Sequence, residues 1–174
     1  MEETKLIVLR GPSGSGKSSA ARAVRDAQKQ KTAIVEQDYL RRIVLKEKDI
    51  PNGLNIELIK KTTLFLLDNS YNVIMEGIFD SDRYGEMLKE IIAEHPNNNY
   101  FFYFNISLEE TIRRHQYKPN KDEFGEKELR RWYKENDLLN FVQEESIAEN
   151  LSLEQIVERI LVATGNKYIG SYFR

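Results

Sequence analysis

Gly11-Pro12-Ser13-Gly14-Ser15-Gly16-Lys17-Ser18 decides how this chain is read, because it joins a short apolar run, Lys5 to Leu9, to a helix-favouring stretch from Ser18 to about Gln28. The apolar run reads as a buried strand ended by Arg10, and the alanines, arginines and Val24 that follow suit a helix. Glycines at such a junction let backbone N–H groups turn inward and cradle phosphate oxygens at the helix N-terminus. The spacing of Gly11, four residues and then Gly16-Lys17-Ser18 gives each residue a task. Lys17 brings a positive charge beside the β and γ phosphates of a nucleotide, and Ser18 offers its hydroxyl to Mg²⁺. Gly11, Ser13, Gly14, Ser15, Gly16 and Ser19 complete the expected phosphate cradle. The bland alternative is a flexible Gly/Ser loop with a solvated lysine, which the strand before and the helix after argue against.

Working outward, Thr32 to Glu36 reads as a β-branched second strand. Leu54 to Leu67 carries Leu58, Ile59, Phe65 and Leu66 at helical spacing, Asn69 to Asn72 breaks it, and Val73 to Met75 forms a third strand. A helix of roughly Arg83 to Glu94 puts Met87, Leu88, Ile91 and Ile92 on one face and ends at Pro96. Tyr100 to Ile106 is the fourth strand. Ser107 and Glu110 make a capping-box pattern that starts a helix through about Gln116. Lys118 to Gly125 is expected as an exposed loop, Glu126 to Asp137 as a strongly charged helix, and a fifth strand falls within Phe141 to Ala148. The last helix, near Leu153 to Thr164, sets Ile156, Val157, Ile160 and Leu161 at core spacing, and Gly165 stops it. Strands alternating with helices in this way imply an α/β fold, a parallel five-stranded sheet covered by helices on both faces. Ligands then bind at the carboxyl ends of the strands. Gly11, Asp38, Glu76 and the region after Ile106 all fall there, so the polar candidates converge independently of any motif.

Composition bounds the rest. With 174 residues, 40% of them hydrophobic, the chain suits one domain, residues 1–174, able to bury a core without disulfides. A net charge of −2 supplies no basic field for a long nucleic acid, though a 5′-hydroxyl end stays open as a partner. The absence of cysteine excludes disulfides, Cys-ligated zinc and a cysteine nucleophile. Glu2 and Glu3 followed by a strand-like run imply neither a signal peptide nor a membrane span, so the expected setting is cytoplasmic. Oligomeric state is not written in the sequence.

Other nucleotide-binding classes fit poorly. Asp82-Arg83-Tyr84-Gly85 matches a short Asp-x-x-Gly pattern, but its Asp does not end an apolar strand. Asn120-Lys121-Asp122-Glu123 lacks the fourth-position Asp of a guanine motif and follows no strand. Strand three ends in Glu76 without the apolar run into Asp-Glu expected of a motor ATPase. What remains resembles the small P-loop kinases that phosphorylate a hydroxyl: chloramphenicol phosphotransferase, gluconate kinase, zeta-toxin-like kinases and the kinase domain of polynucleotide kinases. The resemblance spans most of the chain. It is carried by the phosphate loop, the Glu36-Gln37-Asp38-Tyr39-Leu40-Arg41 segment, Glu76-Gly77, and Arg114-His115-Gln116-Tyr117-Lys118. It implies a three-layer α/β/α P-loop kinase sandwich with a helical lid at about residues 113–131, ATP and Mg²⁺ as cofactors, and a hydroxyl-bearing acceptor.

Within that resemblance Asp38 faces the γ-phosphate across the acceptor site and takes the hydroxyl proton. The alternative is an N-cap, since Asp38 directly precedes the helical-looking Tyr39 to Leu45. Glu36, two residues earlier, points the same way in an extended segment and either tunes or flanks. Glu76 holds Mg²⁺ through water, binds an acceptor hydroxyl, or is a buried structural acceptor. Arg41 and Arg83 either grip the acceptor or are solvated surface arginines. The family's lid shows two arginines separated by three residues. Here Arg114 is followed by Lys118, a point charge without a guanidinium fork, so Arg130 or Arg131 is the replacement to look for. The alternative for the whole run is a solvated charged helix held by Glu126 and Arg130. His115, Trp132 and Tyr133 read as packing residues. The expected activity is ATP-dependent transfer to a hydroxyl, with Lys17, Asp38 and Arg114 catalytic. The rival is an ATP-gated binding or regulatory module without a small acceptor.

Overall fold

The computed structural model describes residues 3–117 and 124–165. Its five strands are β1 (Leu6–Arg10), β2 (Thr32–Glu36), β3 (Asn72–Gly77), β4 (Asn99–Asn105) and β5 (Glu145–Ala148). They form one all-parallel sheet in the order β2-β3-β1-β4-β5. The helices are α1 (Lys17–Ala27), α2 (Leu54–Asp68), α3 (Ser81–Glu94), α4 (Leu108–His115), α5 (Glu126–Trp132) and α6 (Leu153–Ala163). The fold is α/β, as the alternation of strands and helices requires.

Side-chain alternation along the strands divides the core in two. Leu6 and Val8 of β1, with Val73, Met75 and Val35, pack on Ile59 and Leu67 of α2 and on Tyr84, Met87, Leu88 and Ile91 of α3. Ile7 and Leu9, with Ile74, Phe102 and Phe104, pack on Ala20, Ala21 and Val24 of α1 and on Ile156, Val157, Ile160 and Leu161 of α6. Small alanines on α1 bring that helix close to the sheet, which fixes the loop at its start.

Several local expectations shift. The buried stripe of α2 is Asn55, Ile59, Thr63 and Leu67, one residue every turn, and Phe65 is left exposed. The charged helix stops at Trp132, five residues before Asp137. Tyr133 turns extended and donates its hydroxyl to Ile106 O at 3.0 Å, while Lys134 is drawn to Asp80 and Asp82, so tertiary bonds end the helix where propensity would extend it. The Ser107 capping box is half formed. Ser107 Oγ accepts from Glu110 N, but Glu110 is held by Arg113 and Arg114, and Glu149 accepts from Ser107 N in its place. Helix α3 starts two residues early because Asp80 caps it, accepting from Asp82 N and Arg83 N. Among the described residues no helix is long and apolar enough to cross a membrane.

Candidate active site

Between β1 and α1 the backbone makes the turn that the glycines permit. Gly11 has φ 139°, and a Cβ there would lie 2.8 Å from Phe104 O, so only glycine fits against β4. Gly16, at φ 98°, caps α1 without any side-chain bond, and no acidic residue occupies the first turn of that helix. The N–H groups of the first turn and the positive end of the dipole therefore face the cleft. Lys17 is buried, and its Nζ donates to Pro12 O at 2.7 Å and to Ser15 Oγ at 3.1 Å. The loop and its lysine thus form a ring of donors above a cleft of about 430 Å³.

Parallel register brings the carboxylates to the same rim. Glu36 pairs with Glu76 across β2 and β3, and Glu76 pairs with Leu9 across β3 and β1. Ser18 Oγ donates to Glu76 Oε1 at 2.9 Å. Burial pushes the Glu76 carboxyl above its ordinary range, against the pull of the Lys17 charge and the Ser18 hydrogen bond, and Glu36 and Asp38 push it further. Asp38 lines the same cleft, with its side chain 64% exposed. Its carboxylate makes no capping bond, although its backbone has already turned helical into the π-helical segment Tyr39–Val44. It is held instead by Arg41 at 2.7 Å and Arg42 at 3.9 Å. Asp38 and Glu36 therefore do reach one cleft, though not through an extended chain.

The two arginines expected near the acceptor are both engaged within the chain. Arg41 also donates to Glu47 O at 3.1 Å. Arg83 meets Asp49 at 3.1 Å and Asp80 at 3.6 Å and donates to Asp49 O, stapling the 46–53 stretch to α3. Arg114 lies against the phosphate loop: Nη1 donates to Ser15 O at 3.1 Å and Nη2 to Glu149 O at 2.8 Å. The Arg113 guanidinium, with the Arg114 Nε, holds the Glu110 carboxyl pKa down to about 2. Lys118 lies outside the described residues. Arg130 is occupied with Glu126 at 2.7 Å, as the solvated-helix alternative requires, while Arg114 reaches the loop.

No family model matches the chain, and no curated protein matches it in sequence. Solved structures do. The APS kinase of Mycobacterium tuberculosis superposes with a TM-score of 0.74 at 15% identity, covering 95% of this chain and 100% of that one. The gluconokinase of Sinorhizobium meliloti gives 0.64 at 16% identity over 95% and 94%. The tunicamycin resistance protein of Deinococcus radiodurans gives 0.64 at 16% over 94% and 97%. The chain has the P-loop kinase fold.

Within the P-loop kinase fold, three groups that sequence reasoning passed over now stand beside the loop. Arg10 is fully buried, ion-paired with Asp137 and Glu144 at 2.8 Å each, and donates to Phe79 O. It ties β1 to the loop after β3 and to the segment before β5. Its place at a strand end was visible, but partners more than 120 residues away were not. Asp80 caps α3 and takes Lys134 at 2.6 Å. Burial alone would raise its carboxyl, yet the Lys134 hydrogen bond and charge, with Arg83, hold it below the usual range. Trp132 and Lys134 face a small recess with Gly11, Pro12 and Ile78. His115, stacked on Phe124 at 4.5 Å, and Tyr133 pack as expected; the Trp132 ring also meets Phe124 at 5.0 Å.

Proposed function

We propose that this chain is a phosphotransferase that moves the γ-phosphate of ATP, with Mg²⁺, to a hydroxyl of a small molecule, a nucleoside or a 5′-hydroxyl nucleic-acid end, working as a single cytoplasmic kinase domain. The observation that carries the reading is Asp38. Its carboxylate stands in the phosphate-loop cleft, exposed and free of any capping bond, where a base for an incoming hydroxyl is needed. Backbone N–H groups of the loop and Lys17 bind and orient the phosphates, and Arg114, resting on Ser15 O, is poised to reach the transferring group. The segment around α4 and α5 closes over the nucleotide and excludes water.

Ser18 and Glu76 fit the metal. A hydroxyl and a buried carboxylate 2.9 Å apart at the foot of the cleft match a Mg²⁺ that takes one or two protein oxygens and completes its shell with phosphate and water. When bound, it neutralises charge on the β and γ phosphates. The test is transfer of labelled phosphate from ATP across nucleosides, 5′-hydroxyl oligonucleotides, sugars and antibiotics. Product with any of them supports the reading. ATP binding without product from any class overturns it in favour of a nucleotide-gated module.

A further inference from the structure

The residue before Asp38 is held as firmly as Asp38 is held loosely. Strand β2 ends at Glu36, and Gln37 and Asp38 already take helical backbone. Successive residues of a helical turn point about 100° apart, so with Gln37 turned into the fold, Asp38 is turned out to the cleft. Gln37 is only 3% exposed, where the Asp38 side chain is 64% exposed. The Gln37 side chain lies against the end of β3: a Cβ at Gly77 would come 2.6 Å from Gln37 Cβ, so only glycine fits there. Gln37 Oε1 accepts from Phe79 N at 3.1 Å, and the amide also meets the Tyr84 hydroxyl. Tyr84 in turn donates to Asp49 at 2.6 Å and accepts from Asn55 at 2.8 Å. The turn that Gln37 grips is strained. Phe79 has φ 43°, a left-handed conformation that bulky side chains rarely adopt, and its backbone is bound on both sides, N–H by Gln37 and O by Arg10 at 3.0 Å. Gln37 thus bridges the 78–80 turn and the start of the stretch that carries Asp38. Arg41 and Arg42 cannot do the same, because they belong to that stretch and move with it. Leu40 adds a partly buried apolar contact, which has no direction.

We infer that Gln37 is a positioning residue for phosphoryl transfer: it fixes the Asp38 stretch to the turn after β3 and so aims the Asp38 carboxylate at the acceptor hydroxyl. The inference rests on the phosphotransferase reading with Asp38 as base. An aspartate side chain is short, so the backbone decides where its carboxylate stands, and a misplacement of about 1 Å can cost on the order of a hundredfold in rate.

The test is a double-mutant cycle with Asp38→Asn. Gln37→Met keeps the length of the side chain and removes both of its hydrogen-bonding groups. Single-turnover transfer from labelled ATP is measured with the nucleoside, 5′-hydroxyl oligonucleotide, sugar or antibiotic that gives product, and ATP binding is measured alongside. Transfer by Gln37→Met is expected to fall about tenfold to a hundredfold while ATP affinity holds. In the Asp38→Asn background the same substitution should cost less than about twofold, because a group that acts through the carboxylate then has nothing left to aim. Gly77→Ala displaces Gln37 without deleting it, should follow the same pattern, and replaces Gln37→Met in the cycle should that variant not fold. Wild-type rates in Gln37→Met, or a loss of equal size with and without the Asp38 carboxylate, overturn the inference and leave the kinase reading standing. Transfer by Asp38→Asn within about threefold of wild type removes the base on which the inference rests, and overturns it too. Intact ATP binding with no product from any class sinks the phosphotransferase reading itself, and the inference with it.

Discussion

The phosphate loop and the stretch from Asp38 to Val44 meet at one cleft but are held in opposite ways. The loop is pinned from beneath: Gly11 presses on β4, Lys17 is buried, and Arg10 behind it is enclosed by two carboxylates. The second stretch has no buried residue, and Tyr39, Ile43 and Val44 are all more than half exposed. Its helix is of the wide type that tends to occur at functional sites, closed by a bond from Leu45 N to Leu40 O. A firmly held loop thus adjoins a lightly held wall on the same cleft. On the proposed function, that division would suit a fixed nucleotide on one side and a second substrate on the other.

The largest effect that tests this contrast is chemical. Asp38→Asn keeps the shape of the side chain but cannot take a proton, so single-turnover transfer to the acceptor found by screening should fall roughly a hundred- to ten-thousand-fold. ATP affinity, set by the loop, should hold. A rate within about threefold of wild type would mean that Asp38 is not the base and that Glu36 or Glu76 should be tried next.

On the rigid side, Arg10→Met leaves Asp137 and Glu144 with their shared partner gone. Breaking a buried pair from one side costs about 3–5 kcal/mol, because the remaining charge stays enclosed. Urea denaturation should show a loss of that order. A loss under about 1 kcal/mol would show that the loop's foundation is not this cluster.

How much of this contrast was legible in the sequence follows from the range of the interactions. The loop is a local object: its glycines, lysine and serine lie within eight residues, and the strand and helix around it are periodic, so both its structure and its place at the sheet edge could be read directly. Glu76 and Asp38 were legible as strand-end residues for the same reason. What Arg41 and Arg83 would do was not. Asp38 and Asp80 lie only three residues away from them, but Asp49 and Glu47 O reach them through the way the 46–53 stretch folds back, and nothing periodic announces that stretch. The end of α5 at Trp132 was hidden likewise, because bonds from Tyr133 to Ile106 and from Lys134 to Asp80 override a sequence that favours more helix.

A smaller effect is carried by pH. The Glu76 carboxyl is raised above 4.5 chiefly by burial, so the folded chain holds its proton more tightly than the unfolded chain does. Stability then falls as pH rises from about 4.5 through the raised value, and Glu76→Gln lacks that contribution. The melting temperature of Glu76→Gln relative to wild type should therefore increase between about pH 4.5 and pH 7.5. A wild type that gains on the variant over the same interval would reverse the sign and place the carboxylate in a net favourable environment.

The smallest expected effect separates two aspartates that each stand directly before a helical segment in the structure. Asp80 accepts from Asp82 N and Arg83 N and is almost fully buried, so Asp80→Ala removes a real cap and should cost about 1–2 kcal/mol of stability. Asp38 accepts from neither of the equivalent N–H groups and, among the described residues, is paired with Arg41 and Arg42 from an exposed position. An exposed ion pair contributes roughly 0–1 kcal/mol, and no orphan N–H is uncovered when it goes. Asp38→Ala should thus leave the unfolding free energy within about 0.5 kcal/mol of wild type, while transfer collapses as it does in Asp38→Asn. Equal stability losses in the two alanine variants would show that Asp38 also caps its segment in solution, and the argument that its carboxylate is kept for chemistry would lose its structural support.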